Sequence, residues 1–185
     1  MLNGAEAAAE GSSPAHRVRP AERRDVGRLV AMMRELALFE RYLEEFAITE
    51  AELDRRAFGA GPECRITVGE NLTNDDLVGY AVTVFTPFTY DLRPTVTLKE
   101  LFVCEPARGR GVGRALLQAV AADALEAGAG RLKWDVLSGN GRAEAFYRSL
   151  GGRRVRKWIA YSMDERALKE LASRKPQALY RSPGR

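Results

Sequence analysis

Residues 98–117 read LKELFVCEPARGRGVGRALL, and this stretch decides the fold. Its apolar beginning is the end of a strand that starts near Thr95 and closes at Val103. The chain then turns through glycines at 109, 111 and 113, and a helix from about Val112 to Ala127 begins inside that turn. Gly128 stops the helix. Glycine lets the backbone take positive φ and approach a ligand closely. The first amides of a helix have no intrahelical partner, and the helix dipole adds positive potential there. With Arg108, Arg110 and Arg114 alongside, the turn is suited to an anion such as a phosphate. The plainer alternative is a tight strand-to-helix turn with solvated arginines. A dinucleotide fingerprint would need a further glycine where Arg114 stands, and a P-loop would need Gly-Lys-Ser/Thr, so neither motif is present.

Working outward, His16 to Arg19 reads as a short strand ended by Pro20. Val26, Leu29, Val30, Met33, Leu36 and Ala37 recur at helical spacing, which predicts a helix to about Phe39. Thr49 and Glu52 form a capping-box pattern that opens a second helix ending near Gly59. Strands are expected over 65–70 and 77–86, joined by a polar turn at 71–76. Beyond the glycine turn and its helix, 131–137 alternates as a strand and 142–150 reads as a short helix. Residues 155–163 read as a last strand, and Asp164 caps a final helix over 165–172. The pattern implies an α/β (α+β) domain over 16–172, with tails at 1–15 and 173–185 expected to be disordered.

The whole chain has 185 residues, is 45% hydrophobic and 29% charged, and suits one domain. No apolar run approaches the ~20 residues that span a bilayer, and the N-terminus lacks a secretory pattern. The net charge of +4 is interleaved with acidic residues, which argues for a solvated face or a small polyanionic ligand over a nucleic-acid footprint. Cys64 and Cys104 lie 40 residues apart without ligand spacing and read as reduced thiols of a cytoplasmic protein. The single histidine, His16, stands at the edge of the N-terminal tail, so histidine-based nucleophile systems lack a base. No metal site is expected.

Downstream lies a second segment, residues 134–151, WDVLSGNGRAEAFYRSLG. Asn140 occupies a helix N-cap position, and Ala143, Phe146, Tyr147 and Leu150 share one helical face that turns Tyr147 inward. The Arg-x-x-Gly-x-Gly turn at 108–113, followed at this spacing by Asn140 and Tyr147, resembles the Gcn5-related (GNAT) N-acetyltransferases. The similarity extends over about 17–172. It implies a mixed, mostly antiparallel sheet flanked by helices, with a splayed strand pair that holds acetyl-CoA. It further implies that Arg108, Gly109, Arg110, Gly111, Val112, Gly113 and Arg114 bind the diphosphate. Leu101, Phe102 and Val103 would bind the pantetheine arm, and Asn140, Arg142 and Ala143 would contact the cosubstrate. Tyr147, protonated at neutral pH with a reference pKa of about 10, would be the general acid.

Glu35 to Glu40, Tyr42 to Glu45, residues 100–103 and Trp158 resemble the diamine branch of that family, the spermidine/spermine and thialysine acetyltransferases. Phe39, Glu40, Trp134 and Asp135 are then the expected acceptor contacts, with Glu100 or Glu40 acting through water as base. One departure matters. Polyamine enzymes of the branch carry a carboxylate where this chain has Lys99, and another within the region that here reads RRVRK at 153–157. Cations at those places repel a polyamine. An acceptor whose remote end is neutral or anionic is expected instead, and the resemblance also implies a homodimer built near the C-terminal strand and helix. A noncatalytic acyl-CoA-binding module is the alternative.

Overall fold

The computed structural model describes residues 16–174; of the tails expected at 1–15 and 173–185, residues 1–15 and 175–185 lie outside the described residues, and Ser173 belongs to the last helix. The described chain divides into two compact units, at Glu144/Ala145. The first contains β1 (His16–Pro20), α1 (Val26–Glu40), α2 (Glu50–Phe58), β2 (Arg65–Asn71), β3 (Leu77–Thr86), β4 (Thr95–Val103), α3 (Val112–Glu126) and β5 (Arg131–Lys133). Helix α4 (Gly141–Ser149) starts in it and ends in the second unit, which also holds α5 (Glu165–Ser173).

One sheet of order β1-β2-β3-β4-β5 spans the first unit. Its first three pairings are antiparallel and only β4–β5 is parallel, which makes it the mostly antiparallel mixed sheet that was expected. The apolar stripe of α1 supplies Leu29, Met32, Met33 and Leu36, which pack with Ile66, Val68, Tyr80, Val82 and Phe102 on one face. Helix α3 takes the opposite face. Gly79 there admits no side chain, because a Cβ would sit 2.7 Å from the Phe102 carbonyl oxygen and 3.3 Å from Val112 and Leu116. That bare backbone lets the first turns of α3 lie close against the sheet.

Local signals set the helix ends. Thr49 Oγ1 accepts from the Glu52 amide at 3.2 Å, as the capping pattern predicts. At the end of α1, Arg41 adopts the left-handed conformation with φ 66°. Its amide donates to Leu38 and that of Tyr42 donates to Ala37 at 3.0 Å, closing a Schellman turn.

Two buried carboxylates tie β1 and β2 to the start of α1. Arg19 donates to Asp25 at 2.7 Å and to Glu70 at 2.9 Å, and both acids are at most 5% exposed. The hydrogen bonds from Arg19 and then Arg17 outweigh desolvation and hold Glu70 down to about 2. Burial alone would raise the Asp25 carboxyl, but Arg19 and the Glu22 amide more than offset it.

Two expectations are corrected. The strand predicted over 131–137 ends at Lys133, where the chain stops following β4. The strand predicted over 155–163 is not formed: the second unit has no other extended segment to pair with among the described residues, and alternation without a ladder makes no strand. Trp158, Ile159 and Tyr161 are accordingly 75%, 80% and 92% exposed. Asp164 does cap α5, its Oδ1 accepting from the Ala167 amide at 2.8 Å.

The Glu70 cluster makes a pH-dependent contribution. A carboxylate held below its ordinary 4.5 stabilises the fold fully above that value, and the effect fades as pH falls toward about 2. Urea unfolding of wild type and Glu70→Gln should therefore show a constant gap from about pH 6 to 8 that narrows near about pH 3. A gap independent of pH would assign the stabilisation to packing.

Candidate active site

The glycine turn opens α3 with left-handed backbone and leaves the first helical amides without a helical partner. Gly111 is the N-cap of α3 in the left-handed region at φ 85°, and Gly109 has φ 77°. The first bond of the helix runs from the Ala115 amide to the Gly111 carbonyl at 3.0 Å, so the amides of Val112, Gly113 and Arg114 precede the helical ladder. Arg110 and Arg114 are both exposed beside them. Arg108 is exposed and braced against β4: its Nε donates to the Val103 carbonyl at 2.9 Å and its guanidinium lies 6.0 Å from the Phe102 ring centre.

Strand β4 runs into this turn with its two edges in different states. Along β3 it pairs out to Val103, but along β5 it pairs only at Thr95, Val96 and Thr97. From Leu98 onward no described strand pairs with the outer edge, so the backbone of Leu101, Phe102 and Val103 makes no ladder on that side. An extended amide-bearing chain fits such an edge by the chemistry of its donors and acceptors.

The register inside β4 contains the decisive irregularity. Thr83 pairs with Leu98 but Val82 pairs with Glu100, so Lys99 is an extra residue that forms a bulge. Plain alternation would put Glu100 on the α3 face with Leu98. The bulge turns it to the α1 face, where it accepts a 2.7 Å hydrogen bond from the hydroxyl of Tyr80. Burial and the nearby Glu40 charge push the Glu100 carboxyl above its ordinary value, against the Tyr80 hydrogen bond and Lys99. Lys99 itself is exposed.

The Schellman turn brings Glu40 and Tyr42 toward the same place. Burial raises the Tyr42 hydroxyl to about 12, and the charges of Glu100 and Glu40 add to this. Phe39 is 55% exposed, Trp134 is half-buried and Asp135 is exposed. Asn140 caps α4, its Oδ1 accepting from the Ala143 amide at 3.0 Å, while Arg142 is exposed. In the second unit, Tyr147 is half-buried with its ring 5.2 Å from that of Phe146. The Gly152 amide donates to the Tyr147 carbonyl at 2.9 Å.

Sequence reasoning missed two residues. Tyr80 sits in an apolar strand and reads as core; only its hydroxyl, which needs a partner when buried, hinted at more. His16 stands in β1, as the strand pattern predicts; what escaped was its place beside the glycine turn, with its ring 3.8 Å from where a Gly111 Cβ would be. A separate cleft of about 350 Å³, lined by Cys64, Phe85, Val96, Val120 and Asp123 among others, contains none of the expected site residues.

A turn with free helix amides, a strand edge unpaired beyond its third pair and a half-buried carboxylate on the same strand form the candidate site. The model of the acetyltransferase (GNAT) family matches residues 30–151. Thialysine N-epsilon-acetyltransferase of Mus musculus is 30% identical over 167 residues, covering 85% of this chain and 98% of the mouse protein. L-ornithine N5-acetyltransferase of Arabidopsis thaliana is 38% identical over 61 residues, covering 33% of this chain and 27% of the plant protein. An integron cassette protein of V. cholerae shares the fold at TM-score 0.71 and 24% identity, over 86% of this chain and 99% of that one. A Trypanosoma brucei acetyltransferase does so at TM-score 0.62 and 21% identity, over 80% and 99%. The chain belongs to the GNAT acetyltransferase family. It is an enzyme of that class, and the family uses acetyl-CoA as cosubstrate.

Gly111→Ala tests the cradle. The added methyl group meets His16 only at ordinary contact distance, so the penalty comes from the left-handed backbone, about 1–2 kcal/mol. Thermal unfolding should show that loss, and calorimetry should show weaker CoA binding. An unchanged melting temperature would mean that the turn relaxes freely.

Proposed function

We propose that the enzyme transfers an acetyl group from acetyl-CoA to the side-chain amine of a small amino-acid-like acceptor. The observation that carries this reading is the bulge at Lys99, which leaves Glu100 on the α1 face near Glu40 and keeps a lysine on the outside. When bound, acetyl-CoA supplies an activated acyl carbon that exchanges its C–S bond for a bond to the acceptor nitrogen.

In this proposal the amides of Val112, Gly113 and Arg114, with Arg108, Gly109, Arg110 and Gly111, hold the diphosphate. Residues Leu101 to Val103 orient the pantetheine arm along the free edge, and Asn140, Arg142 and Ala143 contact it further on. Glu100 accepts the proton of the acceptor's ammonium through water, because a carboxyl raised by burial is a stronger base than an exposed one. Tyr147 gives its phenolic proton to the leaving sulfur. Phe39, Glu40, Trp134 and Asp135 face the acceptor. The names of the thialysine and ornithine enzymes support an amino-acid-like amine, and Lys99 argues against a polycation.

A panel of thialysine, ornithine, lysine, neutral amines and spermidine, followed by CoA-thiol release, tests the acceptor class. Diamino acids should exceed spermidine by roughly tenfold or more in kcat/KM, about 1.4 kcal/mol of discrimination. Tyr147→Phe should lower kcat by about 100-fold or more. Comparable rates with spermidine would sink the acceptor assignment.

The exposed apolar segment in the second unit supports a homodimer in which residues 155–163 find their strand partner in a second copy. Sedimentation should give a dimer for wild type and a monomer for Ile159→Glu; a monomeric wild type would refute the dimer. We also assign the enzyme to the cytoplasm. Among the described residues no helix is long and apolar enough to cross a membrane.

A further inference from the structure

We propose that Tyr80 is a positioning residue for acyl transfer: its hydroxyl fixes the Glu100 carboxylate across β3–β4, leaving the second carboxylate oxygen to receive the acceptor's proton. The proposal rests on the reading of Glu100 as base.

Tyr80 has 0% exposure and is surrounded by the apolar side chains of the α1 face. Phenylalanine would fill the same space. The hydroxyl therefore has to be explained by its partner, and that partner is Glu100 Oε2 at 2.7 Å. Burial, followed by the Glu100 charge and hydrogen bond, drives the Tyr80 hydroxyl far above its ordinary value. The proton thus stays on the phenol, which acts as a fixed donor and does not titrate with the carboxyl.

The pair is geometrically committed. Tyr80 is opposite Phe102 and Glu100 opposite Val82, so the two meet diagonally on one face, and the Tyr80 ring leans on Phe102 at 5.9 Å. Because of the Lys99 bulge, Glu100 can reach Tyr80 at all. The other charged or titratable groups acting around Glu100 are Glu40 at the end of α1, Tyr42 just beyond it, Lys99 on its own strand and Cys64 before β2. Burial and Glu40 favour the protonated acid. Tyr80 and Lys99 oppose them, and Lys99 is exposed, so Tyr80 is the buried group that keeps Glu100 ionised.

The test compares full-length wild type with Tyr80→Phe, which keeps the ring and its packing. The Glu100 carboxyl is followed by ¹³C NMR titration of the free enzyme, assigned with Glu100→Gln, and kcat/KM is measured across pH. The midpoint of the Glu100 carboxyl should move to higher pH in Tyr80→Phe. The acid limb of kcat/KM should move with it, roughly tenfold lower on that limb for each pH unit of displacement and converging with wild type at high pH. An unmoved carboxyl midpoint would overturn the proposal, as would a loss of activity equal at every pH. Full turnover by Glu100→Gln would remove the base and the proposal with it. The carboxyl titration needs no acceptor, so it decides the Tyr80–Glu100 linkage even where the acceptor class proves wrong.

Discussion

The two edges of β4 are under different constraints, and most of the site follows from that difference. On one side the strand is held to β3 along its whole length, so its residues cannot drift. On the other it is held to β5 for three residues and then released. A fully paired β4 would have its backbone groups consumed by a neighbouring strand. A β4 without β3 would have no fixed geometry at all. The glycine turn at its end adds the second half of the arrangement, because α3 lies so close to Gly79 that its first amides are carried by the sheet itself. The anion cradle and the freed edge are therefore parts of one rigid assembly within the first unit.

Two buried carboxylates on this sheet show how environment sets chemical role. Glu70 is surrounded by arginines, and its charge is stabilised until it has no use as a base. Glu100 is raised by burial and by the Glu40 charge, with the Tyr80 hydroxyl pulling the other way. Both are glutamates in strands, and neither sequence context distinguishes them. The first is held by a structural ion-pair cluster, and the second is the one proposed for chemistry.

Much of the fold was legible because its signals are local. Thr49, Asn140 and Asp164 cap the helices they were expected to cap, and Gly111 takes the left-handed conformation that its turn requires. The strands at 77–86 and 95–103 fall where alternation and turn residues put them. What escaped was non-local. Whether β4 skips a residue depends on its pairing with β3, and nothing in residues 98–103 announces it. The length of β5 depends on where it parts from β4, and residues 155–163 carry a strand pattern without a partner.

The bulge also has an evolutionary meaning. Lys99 is looped out of the ladder and faces solvent, so its side chain can change size without altering the register that presents Glu100, although its charge still bears on that carboxyl. The residue count of the strand has no such freedom. Deleting one residue there would restore plain alternation and carry the carboxylate to the opposite face of the sheet, away from Tyr80. At this position substitution leaves the register of β4 intact, whereas insertion or deletion does not.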